Sequence, residues 1–186
     1  MLKKTILSVL FILVLAGLAF AGDPRALKIG KFLARYPDSP LRGHIHELLY
    51  CADRFGLDYR LYLGLAGAES TFGRSYPKNS HNLTGICNGG ARFASIYDNI
   101  YRTHKIIATG KWYKKYRATR KLKDLVYVYK GVPPYDRYLR TLRGILAGIE
   151  RVPVAQPARV DPLIAWNTVP YDKCANRKLA PFAAPE

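Results

Sequence analysis

Between Arg60 and Arg74 the chain reads Leu61-Tyr-Leu-Gly-Leu-Ala-Gly-Ala-Glu-Ser-Thr-Phe-Gly73, with Glu69 as its one charged residue. Leu61, Leu65, Ala68 and Phe72 fall at helical spacing, and Asp58 stands where an N-cap is expected. A helix this apolar has to be enclosed by the rest of the protein. Gly64 and Gly67 weaken it by roughly 1 kcal/mol each relative to alanine. Such a cost is accepted where a helix lies tightly against another backbone or a ligand, so this segment is expected at the centre of the domain.

The flanking patterns supply partners for it. Ile45, Leu48, Leu49, Ala52 and Phe55 form one stripe, stopped by Gly56. Ser95 and Asp98 form a capping pair ahead of Ile96, Ile100 and Ile107, and Gly110 ends that helix. Leu122, Leu125, Val126 and Tyr129 make another face, closed by Gly131-Val-Pro-Pro134, and Tyr138, Leu142, Ile145 and Ile149 make a last long one. Residues 74–94, dense in Gly, Asn and Ser, read as loop. Alternating strand patterns are scarce, so the expected class is mainly α.

The two ends have different compositions. Residues 1–21 read as a secretory signal peptide: Lys3 and Lys4, an apolar run from Ile6 to Leu18, then Ala19-Phe20-Ala21 as an A-x-A cleavage site. The run is short for a membrane span, and no cysteine follows it to anchor a lipid, so a periplasmic or secreted protein without a stable span is expected. Residues 22–150 form one helical domain in this reading. Residues 151–186 carry six prolines and read as an extended tail packed on it, anchored by Leu163, Ile164, Trp166 and Tyr171. A monomer is expected.

The formal net charge is +17, of which Lys3 and Lys4 belong to the leader. In an exported protein such an excess points to an anionic partner: cell-wall polymer, membrane headgroups or extracellular nucleic acid. The plain alternative is a charge that only maintains solubility. Cys51, Cys87 and Cys174 allow one disulfide and one free thiol in an oxidising compartment, with all three pairings open. His44, His46, His81 and His104 lack ligand spacing, so neither a metal nor a cofactor is expected.

Glu69 is the candidate for chemistry. The helical wheel sets it at the rim of the apolar stripe, beside Tyr62 and one turn after Leu65. A carboxyl group there is expected to be partly desolvated and so able to hold a proton near neutral pH, as a general acid for glycosidic cleavage must. The competing reading is a glutamate that caps a loop or pairs with an arginine. The polar loop Asn79-Ser80-His81-Asn82-Leu83-Thr84-Gly85-Ile86 follows, and its amides and backbone groups suit sugar hydroxyls and N-acetyl groups. They are equally ordinary turn formers.

Taken in order, several pieces resemble the lysozyme-like superfamily, in particular bacterial lytic transglycosylases and related cell-wall glucosaminidases. They are Ser39-Pro40-Leu41, Phe55-Gly56-Leu57-Asp58-Tyr59-Arg60-Leu61, Ala66-Gly67-Ala68-Glu69-Ser70-Thr71-Phe72-Gly73, the loop 79–86, and Tyr127-Val-Tyr129-Lys-Gly131 with Tyr135 or Tyr138 beyond. The resemblance covers roughly residues 35–150. It implies a lysozyme-like helical domain in which Glu69 protonates the oxygen between MurNAc and GlcNAc, then takes a proton from the sugar's own C6 hydroxyl to leave a 1,6-anhydro end. Ser70, Asn79, Ser80, Asn82, Gly85, Tyr129 and Tyr135 are the implied substrate contacts. That scheme needs one carboxylate; Asp98, Asp124 and Asp136 are the candidates for a second if cleavage is by inverting hydrolysis. The sequence departs from the family pattern at Ile86-Cys87-Asn88-Gly89-Gly90, where a bulky residue and glutamine are frequent, and at Lys130, where asparagine is frequent.

The segment Lys111-Trp-Tyr-Lys-Lys-Tyr-Arg-Ala-Thr-Arg-Lys-Leu-Lys123 interleaves bases and aromatics, a pattern that grips anionic polymers or forms a solvated helix face. The function expected is therefore an exported peptidoglycan-cleaving enzyme acting through Glu69. The alternative is a non-catalytic basic protein that binds wall glycan or nucleic acid.

Overall fold

The structure, a computed structural model, describes residues 22–154. The leader, Cys174 and the tail anchors Leu163, Ile164, Trp166 and Tyr171 lie outside the described residues. Within them there are seven α-helices and no strand: α1 (Pro24–Leu33), α2 (Ile45–Phe55), α3 (Leu61–Ser70), α4 (Ile96–Thr109), α5 (Lys114–Thr119), α6 (Leu122–Lys130) and α7 (Tyr135–Glu150). Short 3₁₀ turns at Pro40–His44, Lys78–Ser80 and Lys111–Tyr113 join some of them. The protein is mainly α.

Helix α3 runs between two apolar clusters. Tyr62, Leu63 and Ala66 pack into one with residues of α1, α2 and α4, among them Phe32, Leu48 and Ile100. Leu61 and Leu65 pack into the other with Ile107, Leu125, Leu142 and Leu146. Every side of α3 from Leu61 to Ala66 is therefore buried, which is why its sequence shows so little amphipathic contrast. Its main neighbour is α7, while α2 lies against α4 and α6 against both α5 and α7.

The two glycines of α3 permit that closeness, although what meets them is side chain and not backbone. A Cβ on Gly64 would stand 2.4 Å from Leu142 Cδ1 and 2.5 Å from Leu146 Cδ1, and one on Gly67 would meet the Phe72 ring at 2.6 Å. Asp58 is not the cap itself but stands two residues before it, Arg60. Its carboxylate accepts from Arg60 N at 2.9 Å, and Arg60 itself precedes the helix without a side-chain cap.

Gly56 closes α2 in the left-handed region at φ 59°, as its place after the stripe implies. Ser95 Oγ accepts from Asp98 N at 3.1 Å at the start of α4. Helix α1 is an addition to the expected elements. Its signals, Asp23 accepting from Arg25 N and Pro24 at the first helical position, are short and local, and it buries Ile29, Phe32 and Leu33.

Candidate active site

Glu69 ends the buried run of α3. Beyond Ala66 the helix emerges from between the clusters, and Glu69 is exposed. The half-desolvated setting expected from the helical wheel is thus not what the fold provides. The wheel locates the residue on the helix but cannot say how far the next loop covers it. No ion pair among the described residues involves Glu69, so the arginine-paired alternative does not hold either. A carboxylate in the last turn of a helix sits at the negative end of the helix dipole, where it costs stability.

The chain turns sharply after Glu69. Thr71, Phe72 and Gly73 are all left-handed, at φ 51°, 61° and 78°, and each non-glycine residue there costs about 1–2 kcal/mol. Buried contacts hold the turn. The Phe72 ring lies against Phe32 and Tyr36, Ser39 Oγ donates to Phe72 O at 2.7 Å, and Ser70 Oγ donates to Leu83 O at 2.7 Å while accepting from Gly73 N at 2.9 Å. Ser70 therefore faces inward and pins the loop; it does not line the cleft.

That pin draws the next loop back over the end of α3. Asn82 Nδ2 donates to Ile86 O at 2.9 Å and Ala91 O at 3.2 Å, and its Oδ1 accepts from Ile86 N at 3.0 Å. Ser80 is buried and donates to Pro77 O. Below the loop, Tyr62 Oη donates to Asn99 Oδ1 at 2.6 Å, Asn99 Nδ2 donates to Thr84 Oγ1 at 3.1 Å, and Thr84 and Thr103 hydroxyls lie 3.0 Å apart. From the opposite wall the Tyr129 hydroxyl donates to Thr84 O.

This scaffold sets Gly85 directly against Glu69. Gly85 has φ +66°, and a Cβ on it would lie 2.6 Å from Glu69 Oε2. Tyr138 reaches the same place from α7. Its hydroxyl is buried and makes no hydrogen bond among the described residues, and burial, then the neighbouring Tyr129 and Glu69, hold it well above the ordinary phenol range. Burial likewise pushes Tyr129 up.

Glu69 opens onto a cavity of about 290 Å³ lined also by Tyr76, Asn82, Gly85, Tyr129 and Lys130, and it is the only carboxylate there among the described residues. Through Ser75 and Tyr76 this cavity adjoins a larger one of about 730 Å³ holding Asp38, Arg74 and Lys78. Through Gly85, Asn88, Tyr129 and Lys130 it adjoins a third of about 410 Å³ with Cys87, Tyr113 and Trp112. The three share walls and make one groove with Glu69 in its middle section.

Of the residues expected to touch substrate, Asn82, Gly85 and Tyr129 line the section with Glu69. Ser70 and Ser80 are turned into the structure behind it. Asn79 is exposed but lines none of the three cavities, and Tyr135 stacks edge-on against Tyr127 outside them. Tyr76 was not foreseen, because a lone tyrosine in a loop carries no periodic signal. Tyr138, the alternative to Tyr135 in the family segment, is the one of the two that lies beside Glu69.

None of the candidate second carboxylates lines the groove. Asp98 caps α4 and pairs with Arg102 at 2.7 Å. Asp124 is buried, where the Thr119 hydroxyl and, after the opposing effect of burial, Lys115 hold its carboxyl below the usual range. Asp136 is exposed at the start of α7. Cys51 is buried and Cys87 exposed, and the two are not bonded to each other. Among the described residues no cluster of three His, Cys, Asp or Glu could hold a metal, and no helix is long and apolar enough to cross a membrane.

Fold and groove together define a mainly helical protein with a cleft that holds Glu69 in its middle section and Asp38 in the adjoining one. No protein-family model matches the chain, and no curated protein or solved structure matches it.

Proposed function

We propose that this chain is an exported peptidoglycan-cleaving glycosidase of lysozyme-like fold, acting on the bond between MurNAc and GlcNAc with Glu69 as general acid and then base. One observation carries the reading: Glu69 is the single, unpaired carboxylate at the middle of a three-part groove, at a helix end where it costs stability. A glycan laid in that groove would replace water over the carboxyl with sugar, and desolvation favours the protonated, proton-donating form.

Protonation of the bridging oxygen by Glu69 breaks its bond to C1 of MurNAc. The resulting carboxylate takes the proton of the C6 hydroxyl as O6 bonds to C1, so the acid is restored and no water is consumed. The backbone of Gly85 leaves room for the carboxylate, and the buried Tyr138 hydroxyl lies near enough for Glu69 to influence it, so a small shift on binding would let it donate to the charged form. Only one carboxylate is needed, which accords with the distance of Asp98, Asp124 and Asp136 from the groove lining.

Glu69→Gln removes the proton without changing the shape. Release of soluble muropeptides from peptidoglycan should fall about 10²- to 10⁴-fold, with the circular dichroism spectrum and melting temperature retained. Products lighter by one water than hydrolysed ends identify the anhydro route. Unchanged release by the variant removes the catalytic reading. The exposure of Glu69 favours one second reading, a basic wall-binding protein without activity, in which wild type releases nothing and the variant binds the polymer equally well.

A further inference from the structure

We propose that the section of the groove beyond Ser75 and Tyr76 is a binding site for amino-acid branches on the glycan, recognising a free carboxylate through Arg74 and Lys78 and a neighbouring ammonium through Asp38. The proposal rests on the glycan-cleaving reading of Glu69 and names which form of the polymer the groove selects.

Arg74 and Lys78 differ from the protein's structural cations. Arg25 is committed to Asp23 and Asp53, Arg60 to Asp58 and Glu150, and Arg102 to Asp98. Arg117 and Arg120 are spent on backbone carbonyls. Arg74 approaches an acid only at Asp38, at 4.0 Å, beyond hydrogen-bonding distance, and Lys78 has no ion pair among the described residues. Other surface lysines and arginines are also free, as a net charge of +17 requires. Lys130 lines the Glu69 section itself, and Arg74 and Lys78 are the cations that line the section next to it among the described residues.

The size and chemistry of that cavity narrow the ligand. At about 730 Å³ it is the largest of the three sections, ample for a branch of several atoms beside the sugar chain. The guanidinium of Arg74 offers a planar fork suited to a carboxylate. Thr71 and Ser75 add hydroxyls that can meet peptide amides. Asp38 in the same cavity would repel a polyphosphate but would attract an ammonium, so the set fits a branch bearing both signs of charge. The support is rigid: Thr71 and Gly73 belong to the left-handed turn, and a Cβ on Gly73 would lie 2.6 Å from Leu83 Cδ2. Strain of this kind is kept where a turn aims residues for use.

The test uses the mature protein carrying Glu69→Gln, sedimented with insoluble peptidoglycan whose peptide branches are either intact or removed. Binding should be about tenfold or more tighter on the branched polymer. Adding Arg74→Ala with Lys78→Ala should reduce it to the level seen on the stripped polymer, where the pair should have no effect. Removing Lys121 and Lys123 instead, the same charge lost outside the cavity, should weaken both polymers alike. Equal losses on both polymers from the Arg74 and Lys78 changes overturn the proposal, as does binding that follows attached phosphate polymers in place of peptide branches. Soluble fragments released by the Glu69→Gln protein would count against the catalytic reading alone.

Discussion

The floor and the rim of the groove use the same kinds of polar group in opposite ways. In the floor, Tyr62, Asn99, Thr84 and Thr103 are buried and joined to one another by hydrogen bonds, and Tyr129 ties the opposite wall to Thr84. Along the rim, Glu69, Arg74, Lys78 and Lys130 are exposed, and no side chain among them makes an ion pair shorter than 4.0 Å among the described residues. Water satisfies the rim groups at no cost, whereas an unpaired group in the floor would forfeit its hydration outright. The difference teaches where to look for each role: the satisfied network holds a shape, and the unsatisfied charges face whatever that shape receives.

Two buried atoms break the pattern, and they give ways to test it. His104 stacks on Tyr62 with Nδ1 against Ile100 O, its Nε2 has no partner, and burial pushes the imidazole down to about 4. Between pH about 6.5 and about 4 the unfolded chain takes up a proton that the fold refuses. Stability should therefore fall as pH drops through that window, by up to about 3 kcal/mol. Urea midpoints across the window should slope less in His104→Phe; an identical slope would place the acid sensitivity elsewhere.

Cutting the network itself comes next. Asn99→Ala strands the Tyr62 hydroxyl, while Thr84 keeps Thr103, and should cost about 1–3 kcal/mol in chemical denaturation. A change near zero would mean that the floor is held by packing alone. Tyr138→Phe tests the second unpartnered atom and should split the two readouts. Losing an unsatisfied buried hydroxyl should leave stability unchanged or raise it by about 1 kcal/mol, while muropeptide release falls. A loss of stability with release unchanged would make Tyr138 part of the floor. The smallest effect is expected on the rim, where Trp112→Ala should shift stability by no more than about 0.5 kcal/mol and weaken binding of branch-free sugar chains.

Much of the floor's scaffold was legible in the sequence, and little of its wiring. The stripes Ile45 to Phe55 and Tyr138 to Ile149 coincide with α2 and α7 because burial on one face imposes helical spacing. The near absence of charge from 61 to 73 identified α3 as central for the same reason. Ser70 and Ser80 looked like ligand contacts because a hydroxyl's sequence position does not say whether it bonds inward or outward. Asn99 and Thr103 passed unnoticed, since their partner Thr84 lies in a loop far off in the chain. Nor did the wheel predict that Glu69 would be exposed: its cover depends on how loop 71–85 folds back, and that is set by Ser39, Ser70 and Asn82 together.

Gly85 carries one consequence into inheritance. Its φ of +66° and the 2.6 Å gap to Glu69 Oε2 mean that one extra carbon would strain the turn and push the carboxylate from its place. Any missense change in its codon adds that carbon, so drift can try other residues at Lys130 or Trp112 but at position 85 displaces the acid. Lineages that keep the acid should keep this glycine, and lineages that lose one should soon be free to lose the other.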